Sequence, residues 1–314
     1  MLGTDLRRYK MNKLSSEERN KISEFAGNIF GIKSYQASKL FFDWVVNYNY
    51  FKILTIKNEN LDVISMIHKI SLNFDKNKIN SFFNFVSDQN YRGAGLKNLV
   101  NIKKENCFFI PAVSDQLLSS TYEKFGASKL IFQWYKRYLI PSPSLIAFKY
   151  YFGKKNNIIM QIRGNIMITN DIHSGNKLNK IAKKIGLNDS HYLQWRLQSI
   201  NNKRVFLIED NVRNGFVIAI LGRRKKIPLL RIIGANGSSP VVKNLIDEAC
   251  RFSRKLGALL CLVTIHNSQS NELSKDLRYK PREGINTFLK GRVDLSENMI
   301  MLYGDLGLEE QLGI

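Results

Sequence analysis

Apolar positions along this chain change period several times, and the changes mark out its elements. Ser15 and Ser16 followed by Glu17 and Glu18 set a hydroxyl cap before acidic first-turn residues, which predicts the start of a helix. Leu40, Phe41, Trp44 and Val45 recur at helical spacing and predict a second helix over 34–48. Short apolar runs at 51–56, 61–70 and 79–86 read as strands. An amphipathic helix at 96–104, a strand at 107–112, a helix at 116–125 and a strand at 131–139 follow.

Pro141-Ser142-Pro143-Ser144 punctuates the chain as a linker would. The stretch to about residue 188 is less regular, and then the same order returns. Asp189 or Ser190 can cap a helix, and strands follow at 204–209, 215–221 and 229–234. A long helix over 240–256 has Pro240 at its first position, Gly257 just beyond its end, and Leu245, Ala249, Phe252 and Leu256 as its buried stripe. A strand at 259–265, a helix at 269–277, and strands at 285–290 and 299–303 complete the set. Each half places hairpins first and a crossover helix later. That order predicts an α+β fold of two domains, 1–143 and 144–314, each a mixed, mostly antiparallel sheet flanked by helices.

Composition adds constraints. In 314 residues, 44% are hydrophobic and 11% aromatic, enough to bury two cores. No window offers the roughly 18–20 apolar residues of a membrane span, and no apolar stretch follows the basic N-terminal residues as in a secretory signal, so the expected location is the cytoplasm. The three cysteines, Cys107, Cys250 and Cys261, lack metal-ligand spacing and read as free thiols; no metal is expected. A formal net charge of +22 favours anionic partners. Lysines are scattered, however, and the densest run, Arg223-Arg224-Lys225-Lys226, lies between two apolar stretches as a solvated hairpin turn would. With no helix-turn-helix, zinc-finger or aromatic RNA-binding pattern beside it, nucleic acid is not the expected partner.

One stretch carries candidate chemistry: Asp88-Gln89-Asn90-Tyr91-Arg92-Gly93-Ala94-Gly95-Leu96-Lys97, between a strand and a helix. Glycines let backbone approach a pyrophosphate closely, and the helix N-terminus adds partial positive charge. Arg92 and Lys97 supplement it. Further on, strand 107–112 leads into a helix that ends in Tyr122-Glu123-Lys124-Phe125-Gly126.

On these residues the chain resembles the GNAT superfamily of N-acyltransferases. Arg92-Gly93-Ala94-Gly95-Leu96 is similar to that superfamily's acyl-CoA loop, and Tyr122-Glu123-Lys124-Phe125-Gly126 to its later Tyr-x-Lys-x-Gly-like signature. Lys97 stands where the family usually has Gly or Ala, and Ser114 or Asp115 where it has Asn. The second half looks like a degenerate copy: its turn at 234–239 has no arginine, while Tyr192-Leu193-Gln194-Trp195-Arg196 and Tyr303-Gly304-Asp305 resemble tandem-GNAT proteins of sugar-modification and surface-polysaccharide pathways.

The resemblance implies acetyl-CoA or another acyl-CoA as co-substrate, with Phe85, Val86, Gln89, Arg92, Gly93, Ala94, Gly95, Leu96 and Lys97 as its binding residues. It implies a backbone N–H at Phe85 or Val86 polarising the thioester, and Tyr122 either protonating the departing thiolate or packing at the core edge. Asp43, Asp88, Asp115 and Glu123 are base candidates by proximity. The acceptor is expected to be a small amine or amino sugar, with Trp195, Arg196 and His266 on its side of the site. The alternatives are a core tryptophan beside a surface arginine for Trp195 and Arg196, and a structural or surface role for His266. Two other readings stay open: a FemABX-like transferase using aminoacyl-tRNA, which the basic charge fits, and a non-catalytic binding protein.

Overall fold

A computed structural model describes residues 8–10, 14–45, 48–74, 78–91, 93–113, 116–139, 160–172, 176–188, 190–197, 204–224, 227–266, 280–281 and 285–291. These residues form two compact units. Among the described residues, the first takes the chain up to Lys129 together with the late residues from Thr287 to Gly291; the second takes those of Leu130–Asn286. The expected linker at 141–144 and boundary at 143 lie outside the described residues.

Unit 1 opens with β1 (Arg8–Lys10), then α1 (Ser16–Phe30). Ser15 Oγ accepts from the Glu18 amide at 3.2 Å and Glu18 Oε2 accepts from the Ser15 amide at 3.2 Å, a reciprocal cap that satisfies two otherwise orphaned donors. The helix stops at Gly31, whose φ of 95° suits glycine. The helix expected over 34–48 is divided. Ser38, extended at φ −77° and ψ 132°, separates a 3-10 turn at Tyr35–Ala37 from α2 (Lys39–Val45).

Strands β2 (Phe51–Lys57), β3 (Val63–Asn73) and β4 (Lys78–Ser87) form an antiparallel meander with β1 on its outer edge. Strand β3 begins two residues later than expected because Leu61 sits at φ 63° in a turn closed by the Asn58 side chain, which accepts from the Asp62 amide at 2.8 Å. After β4 come α3 (Ala94–Lys103), then β5 (Phe108–Val113) parallel to β4, then α4 (Gln116–Lys124). The late strand β14 (Ile285–Lys290) sits next to β5. Its Phe288 is fully buried in a core with Leu54, Ile67, Phe82, Ile102, Phe108 and Tyr122. Burying such a side chain stabilises by about 1.5–3 kcal/mol, so unit 1 depends on a strand supplied from the far end of the sequence.

Unit 2 contains β6 (Ser128–Tyr138), which enters it at Leu130, and a hairpin of β7 (Met160–Arg163) and β8 (Ile166–Thr169). Two helices follow, α5 (Lys177–Lys184) and α6 (His191–Leu197). Next come β9 (Val205–Asp210), β10 (Gly215–Arg224), β11 (Ile227–Asn236), α7 (Ser239–Lys255) and β12 (Leu260–His266). The short β13 (Lys280–Pro281) pairs with β6. The sheet order is β6-β12-β11-β10-β9-β8-β7, with only β11 and β12 parallel among its described pairs. Helix α7 lies close on this sheet: a Cβ at Gly215 would come within 2.4 Å of Val241 Cγ1, so glycine is required there. The β7–β8 hairpin and α5 fill the stretch where the sequence pattern looked irregular. The helix expected at 269–277 and the strand at 299–303 lie outside the described residues. Each unit is thus a mixed sheet with flanking helices, the expected α+β class. No helix among the described residues is long and apolar enough to cross a membrane.

Candidate active site

In unit 1 the parallel pairing of β4 and β5 is confined to Asn80 with Phe108 and Ser81 with Phe109. Beyond it both strands continue without pairing to each other, so they splay and leave main-chain groups facing the gap. Within the same half of β4 the register with β3 slips: Met66 faces Val86 but His68 faces Phe83, so Asn84 and Phe85 together oppose Ile67 alone. This is a β-bulge, and Asn84 takes φ 52° to make it. Asparagine is among the few non-glycine residues that tolerate that region. Asn84, Phe85 and Val86 are all half-buried.

The turn after β4 is built by Asp88. Its amide donates to Ile64 O at 2.9 Å, its carboxylate accepts from the Asn90 amide at 2.8 Å, and its carbonyl accepts from the Tyr91 amide at 3.2 Å. Asp88 thus helps to hold the loop. Gly93 caps α3 at φ 86°, with nothing within 4 Å of the place a Cβ would occupy. The turn is therefore open. Gly95 serves packing: a Cβ there would lie 3.2 Å from Phe85 Cζ and 3.3 Å from Ser87 Cβ, so a larger residue would make those side chains give way where α3 meets β4.

A cavity of about 870 Å³ opens beside this turn. Gln89, Gly93, Ala94 and Lys97 line it, together with Asn90 and Tyr91. Its other wall was not anticipated: Asn58, Glu59 and Asn60 from the β2–β3 turn, with Ile64. Asn58 Nδ2 donates to Tyr91 Oη at 3.1 Å and so joins the two walls. The signal available was the Asn-Glu-Asn-Leu-Asp turn composition, which says that a turn exists but not what it faces. Leu96 points outward, exposed; Phe85 and Val86 lie on β4 next to Gly95 and the bulge. Arg92 lies outside the described residues, as do Ser114 and Asp115. Asp43 and Glu123 are exposed on α2 and α4.

Tyr122 is 1% exposed, with its ring 5.5 Å from Phe288 and 6.3 Å from Phe125. The end of α4 explains the spacing of its motif. Ala127 N donates to Tyr122 O at 3.1 Å and Gly126 N to Glu123 O at 2.9 Å, a Schellman cap with Gly126 at φ 81°. The glycine of the signature is thus a helix stop.

The acceptor-side candidates lie in unit 2. Trp195 and Arg196 are both buried on α6, Arg196 completely. The Trp195 ring is 5.8 Å from Tyr192, whose hydroxyl is pushed well above its ordinary range by burial, against the opposing pull of Arg196. His266 ends β12 opposite Phe132 of β6. Unit 2 repeats the bulge, since Ile218 faces Gly234 while Ala219 faces Ile232. It also repeats the splay, with β11 and β12 paired only over Leu229–Arg231 against Leu260–Leu262. Its turn differs. A Cβ on Gly237 would lie 3.1 Å from Gly215 Cα, and Pro240 removes a donor from the first turn of α7. This turn is closed where that of unit 1 is open.

No protein-family profile matches the chain, and no curated protein matches its sequence. Solved structures do match its fold. A Pyrococcus horikoshii protein assigned provisionally as an acetyltransferase superposes with a TM-score of 0.59 at 15% identity, covering 96% of this chain and 93% of that one. Saccharomyces cerevisiae N-myristoyltransferase with bound myristoyl-CoA superposes with a TM-score of 0.53 at 12% identity over 95% and 84%. A tandem GNAT protein from the clavulanic acid biosynthesis pathway gives 0.50 at 6% identity over 93% and 100%. The chain shares the α+β fold of these structures, a tandem GNAT protein among them.

Proposed function

We propose that the chain is an acyl-CoA-dependent N-acyltransferase whose unit 1 holds the acyl-CoA. The observation that carries this reading is the open turn at Gly93, set directly after a bulged strand that splays from its parallel neighbour. Acyl-CoA would lay its pyrophosphate against 89–97, with Arg92 and Lys97 supplying charge. Its pantetheine arm would pair with the free main chain of β4 as an added strand does. A backbone N–H at Phe85 or Val86 polarises the thioester carbonyl, and the Tyr122 hydroxyl supplies the proton that the departing thiolate takes up. The bond formed is an amide and the bond broken is the thioester; the proton that the amine nitrogen loses replaces the one that Tyr122 gives up, leaving the amide and free CoA thiol. The closed turn of unit 2 supports assigning that unit to the acceptor, a small primary amine. An amino sugar of a surface-polysaccharide pathway is the specific acceptor we favour, on the resemblance at 192–196 and 303–305, with Trp195, Arg196 and His266 on that side. The reaction so described belongs in the cytoplasm and needs no metal. Calorimetric titration of the chain with acetyl-CoA tests the donor.

A further inference from the structure

The bulge of β4 is held by groups that do not line the cavity. Asn84 points its amide to the far side of the sheet, into a buried cluster. Tyr35 Oη lies 2.9 Å from Asn84 Oδ1 and 2.7 Å from Nδ2, and Gln36 Nε2 donates to Oδ1 at 3.4 Å. His68 Nδ1 lies 3.0 Å from Asn84 Nδ2. The His68 ring is completely buried, stacked 5.4 Å from Phe41, tilted 5.5 Å from Phe51, and edge-on 5.4 Å from Phe83. In that apolar cage its Nε2 has no partner. Packing alone would be served better by an apolar side chain, because a buried ring nitrogen left unpaired is a cost. What the imidazole supplies is its single contact with Asn84.

The other end of the same tripeptide is also tied down. Ser65 Oγ donates to Val86 O at 2.9 Å, and Asn98 Nδ2 on α3 donates to Ser65 Oγ at 2.9 Å. Asn84 is thus fixed from the Tyr35–Ala37 turn and from β3, and Val86 from β3 and α3. The two peptides between them are held at both ends, in a backbone conformation that few residues other than glycine accept.

We infer that Tyr35, His68 and Asn84 are positioning residues for acyl transfer: through the side chain of Asn84 they fix the direction of the Phe85 and Val86 N–H groups on which the thioester carbonyl rests. They touch neither donor nor acceptor. The inference rests on the acyl-CoA reading above.

Isotope-edited infrared spectroscopy of carbonyl-labelled acetyl-CoA bound to the full chain reads the polarisation directly, without an acceptor. Titration with CoA itself, which lacks the carbonyl, reads the cavity. In the unaltered protein the bound carbonyl band should shift below its position in water. Asn84→Gly keeps the permissive backbone and removes the anchors; Tyr35→Phe removes only a hydroxyl. In both variants the band should return toward its solution position while CoA affinity stays within about threefold, under 0.7 kcal/mol. A band unchanged from the unaltered protein in both variants overturns the inference and leaves the acyl-CoA reading intact. Loss of CoA binding in step with the band also overturns it, since the residues would then hold the whole cavity. An unaltered protein that binds neither acetyl-CoA nor CoA removes the acyl-CoA reading and this inference with it.

Discussion

His68 Nδ1 meets the side-chain amide of Asn84 at 3.0 Å, across the one place where β3 and β4 lose register. The contact needs a bare ring nitrogen. Burial secures this by holding the His68 pKa down from 6.5 to about 3. The native state therefore refuses a proton that the unfolded chain accepts below pH 6.5. Stability from this group is fully present above about pH 6.5 and is lost progressively as pH falls toward 3. At pH 5 the loss is on the order of 2 kcal/mol. Urea midpoints at pH 7 and pH 5 check this: His68→Leu should flatten the acid dependence while the unaltered chain shows it.

The two glycines after β4 should fail differently. Gly93→Ala forces a side chain into φ 86° with no steric neighbour, costing about 1–2 kcal/mol, and Gly93→Asn should recover much of it. Gly95→Ala meets Phe85 and Ser87, which must give by a few tenths of an ångström where α3 meets β4, next to the cavity. Its affinity for acetyl-CoA should fall further than that of Gly93→Asn. Titration of the three variants decides the order.

Glu59 and Lys97 face one cavity with opposite charge. For a pyrophosphate ligand, Lys97→Gln should weaken binding and Glu59→Gln should strengthen it, each by a factor of about two to five, in line with exposed charge terms. Both effects should shrink as salt rises from about 0.05 to 0.5 M. Equal signs for the two substitutions would show that the ligand's phosphates lie elsewhere.

At the end of α4 the Gly126 amide donates to Glu123 O and the Ala127 amide to Tyr122 O. Gly126→Ala should destabilise the protein by about 1 kcal/mol, seen in the urea midpoint, and displace Tyr122 enough to slow acyl transfer. Tyr122→Phe keeps the ring and removes the proton donor. Turnover should fall about 10²-fold or more with acetyl-CoA affinity retained.

The strand–turn–helix at the centre of the site was legible because its parts are local. An apolar run, an Asx-rich turn, two glycines and an amphipathic helix follow one another within some 25 residues, and each has its own signal. Helix α5 was missed: Leu178, Ile181, Ala182 and Ile185 recur at helical spacing, but the lysines around them hid the stripe. The bulge was not legible at all. Nothing in the run Phe82-Phe83-Asn84-Phe85-Val86 shows that Asn84 turns to positive φ, since that depends on Tyr35 and His68, far away along the chain. The same holds for β14: its alternation announces a strand, but the choice of β5 as neighbour is made by the pocket that Phe108 and Tyr122 leave for Phe288. Long-range partners of this kind carry no mark in the local pattern.

Everything proposed for this chain depends on unit 1 receiving acyl-CoA at the Gly93 turn. Titration calorimetry of the full chain with acetyl-CoA, repeated with Arg92→Glu, asks this most directly. The prediction is saturable binding at a single site per chain, abolished by Arg92→Glu without loss of folding. Absence of binding to acetyl-CoA and to longer acyl-CoAs, with aminoacyl-tRNA retained instead, would contradict it.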